Sequence, residues 1–307
     1  MNYTNYMNTE DLRERRRMKK QRARKRKLLR IRLGIFLFLS CLILCTGISI
    51  LFQQKTQDPE VFPVNGTGAL AESKSETDIE WESETDKLSQ ILDNPDLYPE
   101  RLQELAVKNP EAIDFVLEYP EKSDLPPADT IGEVPGDGTI PLLLQWDERW
   151  GYAPYGSDTI VAVSGCGPTC IAMVACGLTG DNTITPAVVA SYASEAGFLT
   201  DTNDTSWELM TVGCQHFGIY GQTLTLNETV MADTLNAGYP IICSMSPGIF
   251  TTTGHFIVLT GYEDGYFTVN DPASQIRSET TYTYAEFQDQ IKNMWFFTPM
   301  ITSDMDY

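Results

Sequence analysis

The C-terminal half of the sequence predicts an α+β fold, and three observations carry that prediction. Helical periodicity fills residues 159–218, strand periodicity takes over after 239, and an Asp264-Gly265 turn sits between two of the strands. Helices first and strands second favour segregated layers over a βαβ sheet. In order, the pattern gives helices at 159–180, 186–197 and 207–218, the last ending at Gly218. Strands follow in IICSM, HFIVLTGY, YFTVND and MWFFTPMI, and the domain spans 138–303.

The rest of the 307 residues reads as appendages. The formal charge of −20 conceals a split, because thirteen of the 22 basic residues precede residue 33, opposed there only by Glu10, Asp11 and Glu14. Residues 33–52 are twenty consecutive uncharged, mostly apolar positions. As a helix they would span roughly 30 Å, the hydrocarbon thickness of a bilayer. Residues 33–53 are therefore expected to cross the cell membrane once as an uncleaved signal anchor. The basic tail, 1–32, stays in the cytoplasm and everything after 53 lies outside. The acidic Ser/Glu/Asp/Thr composition of 54–97 reads as a disordered, solvated stalk. Pro99 and Pro110 each open a helical stretch, with Asn109 as an N-cap, giving a short helical arm over 98–120. A Pro/Asp/Gly-rich linker covers 121–137. Nucleic acid is excluded as a partner, since the body of the protein is strongly acidic. The oligomeric state is not legible.

Five cysteines lie outside the span, an odd number that leaves at least one thiol free. Cys166 stands out because Gly165 and Gly167 flank it and Pro168 suits the first turn of the apolar helix that follows. A cysteine there meets exposed backbone N–H groups that favour a thiolate, the nucleophilic form. The alternative is a small residue beside a tight turn. The chain has two histidines. His216 decorates a helix. His255 begins an apolar strand, and Asp271, sixteen residues on, ends the next. A hairpin folded about Glu263 brings the two together at its open end. They share a face if the loop has three residues, whereas a two-residue Asp264-Gly265 turn requires a bulge. Taken singly, His255 is also a strand-edge histidine and Asp271 an Asp-Pro turn starter.

Together these residues resemble papain-like cysteine peptidases akin to family 39, the bacteriocin-leader-processing type. The landmarks are PLLLQWDERWGYAPYG (141–156), SGCGPT (164–169), DTSWELM (204–210), GHFIVLTGY (254–262) and VNDP (269–272). The resemblance implies a papain-like fold, with Cys166 as nucleophile, His255 as general base and Asp271 orienting the imidazole. It also implies a peptide or protein substrate. One departure stands out: the position six residues before the nucleophile, where the family carries an oxyanion glutamine, is Ile160. Gln145 is the candidate replacement, or else a surface glutamine, and the Cys166 backbone N–H is the other donor. Trp146 and Trp207 are candidate cleft residues, with core packing as the alternative. Asp201, Asn203 and Asp204 make an incomplete calcium ladder and no zinc spacing occurs, so neither metal nor cofactor is expected. Leader-processing relatives are fused to a transporter segment that these residues lack, so substrate identity does not transfer. A peptide-binding module on the same fold and a cell-wall amide hydrolase or transferase are the competing functions.

Overall fold

The computed structural model describes residues 76–300 apart from 135, 136, 201 and 203, with 76–83 described by backbone alone. The basic tail, the span at 33–53 and the first part of the stalk lie outside these residues. No helix among the described residues is long and apolar enough to cross a membrane.

The end of the stalk is a correction. Residues Glu76–Asp93 form a helix, α1, that runs into the arm helices α2 (Glu100–Lys108) and α3 (Ile113–Leu117). Acidic composition suggested a solvated segment, but Leu88 and Ile91 lie three apart on one face. Ile91 is completely buried against Tyr98, Leu102, Ala106 and Val116, and Leu88 packs beside them. Burying a side chain of that size is worth roughly 1.5–3 kcal/mol. A second correction concerns Asn109. It occupies the cap position before Pro110, yet its side chain makes no cap hydrogen bond and donates instead to the Ala273 carbonyl at 2.7 Å. The arm and the layers beyond it belong to one compact unit.

The central helix α4 (Cys166–Thr179) is buried continuously from Gly167 to Gly177, as its apolar composition requires, and packs beside α5 (Pro186–Glu195). Against them lies an antiparallel sheet of order β1-β6-β2-β3-β4-β5. Its strands are β1 (Ile219–Thr223), β2 (Ile241–Met245), β3 (His255–Glu263), β4 (Tyr266–Asn270), β5 (Thr281–Thr283) and β6 (Ile291–Pro299). One core fills the space between α4, α5 and the sheet, through Ile242, Phe256, Val258, Trp295 and Phe297. A second core, on the other sheet face, joins Ile241, Ile257, Leu259, Phe267 and Val269 to Met231 and Leu235 of α6 (Glu228–Asn236). Strands buried on both faces read as continuous apolar runs, which explains why IICSM and HFIVL lack alternation.

The expected third helix is absent as such. Residues Trp207–Met210 and Gly213–Phe217 are two separate 3₁₀ turns, broken at Thr211 (φ −119°), with left-handed Gly218 closing the second. β-Branched Thr211 and Val212 interrupt the run. Gly213 also packs so closely that a Cβ there would stand 2.8 Å from Leu209.

Candidate active site

The hairpin β3–β4 sets the first half of the site. Its turn is the two-residue Asp264-Gly265 type, both with positive φ (50° and 89°). From Glu263↔Tyr266 up to Gly261↔Thr268 the ladder is regular; it then slips by one, so that Leu259 faces Val269 and Val258 faces Asn270. Without the slip, Asp271 would fall opposite Val258, three residues from His255 and on the other face. With it, the register continues to Ile257, two residues from His255, and both side chains point the same way. His255 Nε2 and Asp271 Oδ1 are 2.7 Å apart in a buried contact.

Helix α4 supplies the second half. Cys166 is its first residue and half-buried, preceded by a single helical turn at Val161–Ser164. The flanking glycines are sterically required. A Cβ on Gly165 would lie 2.6 Å from the Val161 carbonyl, and one on Gly167 would lie 2.5 Å from Thr205 Oγ1. Thr205 is held in turn by the buried Tyr155 hydroxyl at 2.7 Å. Cys166, Thr205, Trp207, Ser244, His255 and Lys292 line one cleft. With Nε2 engaged by Asp271, Nδ1 is the imidazole nitrogen left to Cys166.

The electrostatics couple these three residues. Burial opposes a charged imidazole, but the Asp271 charge and hydrogen bond, with help from Cys166, outweigh it and raise the His255 pKa. Burial likewise opposes the Asp271 carboxylate, yet His255 and Arg277 outweigh it and hold Asp271 below its ordinary value. The other thiols differ in kind. Burial pushes Cys214 up to about 11 and Cys176 up to about 12, and also raises Cys170 and Cys243 well above the ordinary thiol value. All five described cysteines are free thiols.

Asp271 is completely buried and fully engaged. Oδ1 also accepts from the Ala273 N–H at 2.8 Å, and Oδ2 accepts from Arg277 Nε at 2.6 Å. Its own N–H donates to Ser278 Oγ at 2.9 Å. Sequence reasoning missed Arg277 and Ser278. Charge counting offered a signal: only Arg149, Arg277 and Lys292 are basic after residue 137. Arg149 pairs with Asp147, Arg277 with Asp271, and Lys292 lines the cleft.

Gln145 is buried between the two halves of the site. Its backbone N–H donates to the Pro272 carbonyl and its Nε2 to the Ala162 carbonyl, both at 2.7 Å, while Oε1 has no partner. It is thus not a surface glutamine. Trp207 sits in the cleft, about half exposed, with its indole N–H 3.3 Å from Ser244 Oγ. Trp146 does not line the cleft: its indole N–H donates to the Ala273 carbonyl at 3.0 Å and its ring packs on the arm. An indole that is mostly covered needs an acceptor for its N–H, and that acceptor lies behind Asp271. His216 stands apart, stacked on Tyr192 with ring centres 4.1 Å apart.

A helix-borne cysteine facing, across a cleft, a histidine that opens one strand and an aspartate that follows the next is the arrangement of a papain-like cysteine peptidase. The chain belongs to the Peptidase_C39 like family, whose model matches residues 139–296, just over half of it. Among solved structures it is similar to the peptidase domain of Streptococcus ComA, a bi-functional ABC transporter involved in a quorum sensing pathway. That match has 18% identity and a TM-score of 0.36, and covers 52% of this chain and 99% of that one. A Bacillus anthracis protein described as a C39-like peptidase matches with 14% identity and a TM-score of 0.35, covering 53% of this chain and 96% of that one. No curated protein matches.

Proposed function

We propose that the protein is a membrane-anchored, extracytoplasmic cysteine peptidase that hydrolyses peptide bonds through Cys166, His255 and Asp271. The observation that carries this reading is the buried 2.7 Å contact between Asp271 and His255, a histidine that lines the same cleft as Cys166, the least buried of the described thiols. His255, whose charged form Asp271 stabilises, takes the Cys166 proton. The Cys166 thiolate attacks the scissile carbonyl carbon, and the imidazolium gives its proton to the departing amine. A thioester remains. Neutral His255 then takes a proton from water, hydroxide attacks the thioester, and the carboxylic product leaves as Cys166 and His255 regain their starting states, holding between them the proton taken from water. The Cys166 backbone N–H acts on the developing oxyanion, and Gln145 joins it only if its Nε2 turns from the Ala162 carbonyl.

Anchoring by residues 33–53, with the catalytic domain outside, is supported by the basic tail that precedes an uncharged run of bilayer length. Protease added to spheroplasts is then expected to digest residues after 53 and spare 1–32. The detergent-solubilised full chain is expected to cleave a mixed peptide library, and Cys166→Ala to abolish cleavage. Equal cleavage by both proteins overturns the reading. One observation favours a second reading, a peptide-binding module: Gln145 does not line the cleft, and its amide is engaged by Ala162. Peptide capture without turnover by wild type is the result that selects it.

A further inference from the structure

Asp271 begins a turn, 271–274, that leads into the one-turn helix α7 (Gln275–Ser278), and residues more than 160 positions upstream hold this segment in place. The Asn109 side chain donates to the Ala273 carbonyl at 2.7 Å. Glu111 reaches further. One of its carboxylate oxygens accepts from the Ser274 hydroxyl, and the other accepts from the backbone N–H groups of Gln275 at 2.8 Å and Ile276 at 3.2 Å. The first N–H groups of any helix lack intrahelical partners, and here Glu111 supplies them through charge-assisted bonds. The hydroxyl that Glu111 engages also accepts from the Arg277 N–H at 3.0 Å, and Arg277 carries the guanidinium paired with Asp271. Ser278 closes the loop: its hydroxyl donates to the Ser274 carbonyl at 2.7 Å and accepts from the Asp271 N–H.

Both Asn109 and Glu111 precede the stretch matched by the family model, which begins at residue 139. The segment that fixes the acid is therefore braced by an element outside that stretch.

We propose that the arm is a positioning device for the triad acid: Glu111, assisted by Asn109, sets the 273–277 turn and so aims Asp271 at His255. The inference rests on the proposed function. It gives the arm a role beyond tethering, because any force or partner that undocks it misaligns the acid without touching the cleft.

The test uses the detergent-solubilised full chain and iodoacetamide, with modification of Cys166 followed by mass spectrometry from pH 5 to 9. The groups facing the His255–Asp271 pair are Cys166, Cys170, Arg277 and Tyr282, with Asp204 and Lys292 across the cleft. None is altered in the variants. Glu111→Ala is expected to slow alkylation at pH 6 about tenfold, within the range that ångström-scale misplacement produces. It should matter far less at pH 9, where an ordinary thiol is itself largely ionised. Glu111→Gln, which keeps one acceptor, restores part of the rate. Asp114→Asn breaks only the pair with Lys87 on the arm and leaves the profile unchanged. Asn109→Ala provides a milder variant in case Glu111→Ala does not fold. Lower melting temperatures with an unaltered profile in the folded variants overturn the proposal. His255→Ala separates the two levels: if it changes the profile while the arm variants do not, only the arm's role fails. If it changes nothing, the triad reading fails first.

Discussion

Asp271→Asn is the substitution whose outcome the geometry constrains most. An amide must put its NH₂ group at one of two places. At the Oδ1 position it would oppose both His255 Nε2 and the Ala273 N–H, the latter fixed in the backbone. At the Oδ2 position it would oppose only Arg277, whose side chain is 33% exposed and can turn towards water. The oxygen therefore stays on the histidine side, Nε2 keeps its proton, and Nδ1 keeps facing Cys166. In serine peptidases the same substitution imposes the wrong tautomer and costs about 10⁴ in rate. Here the tautomer survives and only the negative charge is lost. Hydrogen bonds to charged groups are worth about 1.5–3 kcal/mol, which converts to roughly 10- to 150-fold. Cys166 alkylation at pH 6 is expected to fall by that factor. The lost Arg277 bond should lower stability by about 2 kcal/mol, or roughly 4–8 °C in Tm for a domain of this size. Stopped alkylation series and circular-dichroism melts measure both. A loss approaching ~10⁴ in a folded variant refutes the argument about amide orientation, and an unchanged rate refutes the electrical coupling of Asp271 to His255.

Three further outcomes follow from the same site. His255 has a raised folded pKa, so its contribution to stability is full below about pH 6.5 and is lost as pH rises through the folded value. Asp271 has a depressed one, so its contribution is present above about pH 3.9 and is lost as pH falls through the folded value. Urea melts across pH should show stability from this pair greatest between those limits and a flatter profile in Asp271→Asn; a wild-type profile in that variant contradicts the coupling. Gly167→Ala forces a methyl to within 2.5 Å of Thr205 Oγ1, and overpacking of this kind costs about 1–3 kcal/mol. A urea melt indistinguishable from wild type would contradict it. His216→Ala, which removes only the ring stacked on Tyr192, should leave the Cys166 alkylation profile intact, whereas His255→Ala should flatten it.

What could be read from the sequence depended on range. The central helix, the strands of the two cores and the placing of Cys166 came from local periodicity and from glycines and prolines next to the residue concerned. The His255–Asp271 pairing was legible because hairpin spacing is arithmetic, including the need for a bulge once the turn had two residues. Four features were not legible, for different reasons. β1 (IYGQT) is polar at alternate positions and short, so little distinguishes it from loop. The 207–218 segment has helical composition, but its close packing at Gly213 selects tighter turns. Trp146 and Asn109 were assigned by local rules, as cleft residue and helix cap, yet both spend their donors on the distant Ala273 carbonyl. The Arg277 and Glu111 contacts join side chains to a turn whose shape exists only after folding; Arg277 is six residues from Asp271 but no regular element sets that spacing, and no spacing rule reaches the more than 160 residues back to Glu111.

The central claim, that Cys166 is the activated nucleophile, is tested most directly by treating the full chain at pH 6 with a peptide-like probe bearing a thiol-reactive group and mapping the modified residue. Cys170, Cys176, Cys214 and Cys243 are buried, with pKa values raised by that burial, and should stay unmodified until the protein unfolds. Cys166 is expected to carry the label, and His255→Ala to lose it. Label spread over the buried thiols, or Cys166 left unmodified in a folded protein, contradicts the claim.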